Sequence, residues 1–265
     1  MRHAFLLALF AAFPALAQPI PETALDTLPP ARVVVLGEVH DNPQHHLNQA
    51  RALAALRPAA VVWEMLTPEQ AARMPEDRAD PDTVAAALGW AGTGWPDFAM
   101  YFPIVEAAGA ARTYGAALPR DAVRRAFAEG AAALFGAEAG RFGLDRRLPP
   151  AEQAAREAEQ FEAHCGAMPP EMMGGMVEAQ RLRDAALARA ALLALDETGG
   201  PVAVITGAGH ARRDWGVPAV LAQAAPGVGV LALGQAEADP GDEAPWDLWL
   251  VTEPVERPDP CATLR

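Results

Sequence analysis

Short, uninterrupted apolar runs alternate with amphipathic stretches along most of this chain. Ala31–Leu36 (ARVVVL), Ala60–Glu64 (AVVWE) and Pro201–Thr206 (PVAVIT) suit strands buried on both faces, as in parallel sheets. Arg112–Ala117, Val228–Leu233 and Trp246–Val251 add three more strands. Asn42-Pro43 reads as an N-cap followed by proline at the first helical position, opening a helix to about Leu56. Thr67-Pro68-Glu69-Gln70 opens a second helix, Asp82–Leu88 and Tyr101–Ala108 are helical, and Pro119 opens another. From Pro150 to Leu195 the pattern is helical, broken near Gly166–Pro170, and a last helix follows Gly207–His210. This order predicts an α/β fold, a mostly parallel sheet with helices on both faces. The helical stretch 120–196 reads as an insertion or cap. With no repeat and no linker, residues 18–265 read as a single domain.

The first residues carry a different pattern. Arg2 and His3 precede an apolar run from Ala4 to Phe13, and Pro14-Ala15-Leu16-Ala17 ends in an A-x-A-like cleavage site. This predicts a signal peptide over 1–17, with a mature chain from Gln18. The run is shorter than the ~20 residues that span a bilayer, and no Cys follows it to carry a lipid. A periplasmic or secreted protein without a stable membrane anchor is expected. In that oxidising setting Cys165 and Cys261 are expected to pair, and the absence of C-x-x-C spacing removes a redox motif or zinc knuckle.

Composition narrows the partners. The 265 residues hold 34 acidic and 21 basic side chains, a formal charge of −13, which argues against nucleic acid or anionic membrane. There is no Lys, so Schiff-base chemistry and a Walker-type phosphate lysine are excluded. The 51% hydrophobic content is ample for a large core.

Candidate chemistry sits at strand ends. Glu38 and His40 follow the first strand, Glu64 ends the second, Arg120 follows the third and His210 the fourth. Open α/β sheets bind ligands in the crevice beyond the carboxyl ends of their strands. There, carboxylates and imidazoles could hold a divalent metal ion that acidifies water, with Arg120 on an oxyanion. His45 and His46, in the first helical turn, read as neutral supporting groups or as surface or capping residues. Met172 and Met176, four apart, read as packing. Gly207–Gly209 lacks the dinucleotide fingerprint. Tyr101 follows a Gly- and Trp-rich loop whose Trp90 and Trp95 could cover a flat apolar ligand, and tyrosinate suits ferric haem iron. The alternative is a Tyr101 packed at a helix start with its hydroxyl at the surface.

VVVLGEVHDNPQHHLNQ (Val33–Gln49), WPDFAMYFPIVEAA (Trp95–Ala108), ALPRDAVRRAF (Ala117–Phe127), EAQRLRDAALA (Glu178–Ala188) and GAGHARRDWGVPAVL (Gly207–Leu221) together resemble the ChaN-like family of bacterial haem-binding proteins. The resemblance implies an α/β fold and a periplasmic role in haem or iron uptake, with ferric haem held by a Tyr at a homodimer interface. It carries the iron-ligand role to Tyr101. The assisting His goes to His210 ahead of His40, and Arg120 is expected among the haem-binding residues. G-E-x-H and G-x-G-H also resemble erythromycin-esterase-like and TraB/TIKI-like proteins, which are distantly similar. That likeness implies the alternative of a metal-dependent hydrolase working through Glu38, His40, Glu64, Arg120 and His210.

Overall fold

The computed structural model describes residues 17–259 with 261 and 262; the signal-peptide expectation rests on residues 1–16, outside them. Seven strands form one sheet: β1 (Gln18–Pro19), β2 (Val33–Glu38), β3 (Ala60–Trp63), β4 (Arg112–Gly115), β5 (Val202–Gly207), β6 (Val230–Ala236) and β7 (Leu248–Val251). Their order is β1-β7-β6-β2-β5-β3-β4, and every pair is parallel. The two-residue β1 has no signature in the hydrophobic pattern. It is held by the Gln18 and Ile20 amides, which donate to the Asp247 and Trp249 carbonyls.

The helices are α1 (Pro43–Leu56), α2 (Pro68–Ala71), α3 (Pro81–Leu88), α4 (Phe98–Ala108), α5 (Arg120–Glu129), α6 (Ala131–Phe135), α7 (Pro150–Ala163), α8 (Met173–Thr198) and α9 (Val217–Ala224). Asn42 caps α1 by accepting from the Gln44 amide, and Thr67 and Gln70 form a reciprocal capping box at α2. Alternation along the strands feeds two cores. Val34, Leu36, Val61, Trp63 and Ile205 pack with Leu53 of α1 and Ile104 of α4 on one face. Val33, Val35, Val62 and Val204 pack with Leu187 and Ala191 of α8 and Leu221 of α9 on the other. Helices α5, α6 and α7 lie on α8, not on the sheet.

This topology locates the crevice. The chain leaves β2 through α1, on one face, to reach β3, and leaves β5 through α9, on the opposite face, to reach β6. The ends of the adjacent strands β2 and β5 are therefore a switch point, where a gap opens above the sheet. Gly37 lets the two ends close together: a Cβ there would stand 2.9 Å from both Ala208 Cα and Ala211 Cβ. Past β7 the tail is tied to the α7–α8 junction by a Cys165–Cys261 disulfide.

Candidate functional site

Glu38, at the end of β2, points to the α1/α4 face, and Glu64, one residue beyond β3, to the crevice. Between them sits His40, whose Nδ1–H donates to Glu38 Oε1 (2.8 Å) while its Nε2 lies 3.9 Å from Glu64 Oε2. His210 sits across Glu64, with Nε2 3.5 Å from Glu64 Oε1 and Nδ1 2.7 Å from Asp184 Oδ1. The Thr206 hydroxyl (2.7 Å) and the Gly207 amide (2.8 Å) fix Glu64 by donating to its Oε2. The result is an alternating row of acid and imidazole: Glu38, His40, Glu64, His210, Asp184. Four of the five strand-end residues expected from sequence thus come together.

The charges in this row support one another. Burial opposes the Glu38 charge, but the His40 hydrogen bond and the nearby His46 outweigh it and hold its carboxyl at about 2. For His210, burial disfavours the imidazolium, yet Glu64 and Asp184 together push it up to about 9. His40 is raised and Glu64 lowered, in each case because opposite charges overcome burial. Asp184 goes the other way: burial dominates and its carboxyl is raised. At neutral pH His210 keeps its proton between Glu64 and Asp184, an arrangement able to hold a proton and hand it to a neighbouring atom.

Asp184 had only a faint signal, one carboxylate in the small-residue stripe of α8. Of the two alternatives for His46, a supporting group or a surface or capping residue, the structure rules out the surface: it is fully buried, with Nε2 3.4 Å from Glu38 Oε2 and its ring 4.1 Å from that of Tyr101. Neither of its nitrogens has a hydrogen-bond partner. His45 is buried too. It accepts from the Val39 amide and reaches Thr252 in the tail (2.7 Å), and burial lowers it to about 4, so it is neutral.

Tyr101 is fully buried on α4, and its hydroxyl donates to Glu38 Oε1 at 3.0 Å. Burial, then the Glu38 charge, push its ionisation far upward. Trp90 is core, donating to the Pro96 carbonyl and packing on Phe98 and Tyr101, so it does not cover an external ligand in this conformation. Trp95 lies beside His40 (4.7 Å between centroids) and lines a cleft of about 760 Å³. Glu64 lies in the lining of the same cleft, and Arg120, at the start of α5, lies in its wall, donating to the Thr93 carbonyl at 3.2 Å. Arg120 therefore shares the cleft with Glu64 but does not join the acid–imidazole row.

Among the described residues no group of three or more His, Cys, Asp or Glu side chains is arranged to hold a metal ion, and no helix is long and apolar enough to cross a membrane. His40 Nε2 and His210 Nε2 both face Glu64, at 3.9 Å and 3.5 Å, and the other ring nitrogen of each is held by a further carboxylate.

Residues 24–221 match the family model described as haem-binding uptake, Tiki superfamily, ChaN. Among solved structures, that of "Cofacial heme binding to ChaN of Campylobacter jejuni" shares the fold with a TM-score of 0.61 at 18% identity, over 82% of this chain and 86% of that one. The type III effector HopBA1 aligns at a TM-score of 0.43 and 12% identity, over 84% and 88% of the two chains. No curated protein matches the sequence.

Proposed function

Because the chain belongs to the ChaN haem-binding uptake family of the Tiki superfamily, we propose that it binds ferric haem outside the cytoplasm and serves haem or iron uptake. The family match over residues 24–221 carries this reading, and the disulfide fits an extracytoplasmic setting.

Haem asks for a flat apolar seat, cationic partners for two propionates and an axial donor to iron. Trp95 and the guanidinium of Arg120 fit the first two needs. Tyr101 does not meet the third in this closed arrangement, since its ring is buried and its hydroxyl is given to Glu38. We place the ligand role on Tyr101 in an opened state, reached when loop 89–97 swings away and Glu38 releases the phenol. Ferric iron itself would supply most of the shift the phenol needs to lose its proton. His210, ahead of His40, assists, and the haem lies across a homodimer. An absorption titration with hemin, paired with the solution mass with and without it, tests this. A tyrosinate spectrum lost in Tyr101→Phe and a mass that doubles with hemin are expected. An unchanged spectrum in the variant would remove the ligand role.

One observation favours a second reading. Glu64 and the His210–Asp184 pair form a general base beside a held proton, which suits hydrolysis without a divalent ion. Ester turnover that survives chelation and is lost in Glu64→Gln would support it.

A further inference from the structure

The cleft beside Glu64 has a charge opposite to that of the protein. The chain carries −13, yet three guanidiniums, Arg120, Arg124 and Arg183, line this cleft, and Glu64 is the single acid in its lining. That acid is itself faced by His40 and His210. None of the three arginines forms an ion pair among the described residues. Their helix neighbours do: Arg125 pairs with Glu129 at 2.8 Å, and Arg181 with Glu178 at 2.6 Å. Among the described arginines of α5 and α8, those without an ion pair are thus the ones that line the cleft. Local backbone accommodates one of them. Gly94 has φ +84°, and a Cβ there would stand 3.1 Å from the Arg120 guanidinium. Trp95, Leu118, Val123 and Leu187 supply an apolar part of the wall, beside the neutral polar Thr67, Gln70 and Thr93.

We propose that this cleft binds a flat apolar molecule bearing carboxylates, with the carboxylates on Arg120, Arg124 and Arg183 and the body against Trp95, Leu118 and Val123. Guanidinium–carboxylate hydrogen bonds are stronger than neutral ones, and a cleft of one sign concentrates anions that the acidic surface repels. The inference deepens the haem reading by naming the residues that receive the propionates, and it rests on that reading for the identity of the ligand. The cleft itself would take any ligand of this chemistry.

The test uses the full mature chain, the double variant Arg124→Ala/Arg183→Ala, and three probes followed by tryptophan quenching and porphyrin fluorescence. The probes are hemin, iron-free protoporphyrin IX and its dimethyl ester. Both substituted side chains are exposed, so the fold is retained, and a melting curve checks it. The double variant is expected to weaken protoporphyrin binding by about tenfold or more. The ester is expected to bind the unmodified protein about tenfold more weakly than the acid and to be indifferent to the substitutions. If the double variant binds both porphyrin acids as tightly as the parent, the cleft assignment is overturned while the haem reading stands. Arginine-dependent binding of protoporphyrin without binding of hemin would keep the cleft and remove the haem reading. If no porphyrin binds, both fall.

Discussion

Tyr101 and His40 converge on one oxygen: each donates to Glu38 Oε1, at 3.0 Å and 2.8 Å. A buried carboxylate therefore couples the residue expected to meet iron to the row of acids and imidazoles along the crevice. Whatever draws the phenol away leaves Glu38 to His40 and His46, and changes the charge the row must balance.

Tyr101→Phe keeps the ring packed on His46 and Trp90 and deletes the hydrogen bond to Glu38. A bond to a charged acceptor contributes about 1.5–3 kcal/mol, and His40 remains on the same oxygen, so a loss of about 1–2 kcal/mol is expected. Urea unfolding of both proteins checks it, and unchanged stability would mean that the hydroxyl is not engaged with Glu38 in solution.

Asp184→Asn removes one of the two carboxylates that hold His210 protonated. The His210 imidazolium, at about 9 in the parent, should titrate nearer neutrality in the variant. An NMR titration of the ring protons reads this directly, and a midpoint that stays near 9 would show that Glu64 alone sustains the charge.

Stability should fall on both sides of a plateau. His210 is raised from 6.5 to about 9, so its contribution is complete below 6.5 and is lost as pH rises through 9. Glu38 is lowered from 4.5 to about 2, so its contribution is present above 4.5 and is lost as pH falls through 2. Asp184, raised by burial, partly offsets the acid limb. Urea midpoints across this range should be highest between 4.5 and 6.5, and His210→Gln should flatten the alkaline limb. A variant with the same alkaline slope as the parent would assign that limb to other groups.

The Cys165–Cys261 disulfide closes a loop of 96 residues. On the chain-entropy model, opening a loop of this size costs about 4.7 kcal/mol. Reduction, or Cys165→Ser/Cys261→Ser, should lower the melting temperature by several degrees. Arg257 limits how far the freed tail moves, since it forks onto Asp41 and holds Glu237. Protease resistance retained up to Arg257 after reduction would show that clasp at work, and immediate cleavage at Val251 or Thr252 would contradict it.

The hydrophobic pattern made β2, β3 and β5 legible, because strands buried on both faces read as unbroken apolar runs. The caps Asn42 and Thr67 were legible because their side-chain chemistry is local. Strand ends then placed Glu38, His40, Glu64 and His210 at one crevice. Pair distances were beyond reach, and so was Asp184, which arrives from a helix remote in sequence. The burial of Tyr101 was hidden for another reason: FAMYFPIVEAA is apolar almost all round, so its periodicity does not say which side faces the sheet. His45 and His46 stay open between supporting and surface roles in the sequence because the first turn of a helix is often exposed, but this turn is roofed by the tail through Thr252 and by α4 through Tyr101.

The most direct measurement of the haem-binding claim is an equilibrium absorption titration of the mature protein with hemin, followed in the Soret region to its end point. The account predicts a saturable change that stops at one hemin per chain, with a ferric spectrum distinct from hemin in buffer. A signal that rises without an end point, or a spectrum identical to that of free hemin, would contradict it.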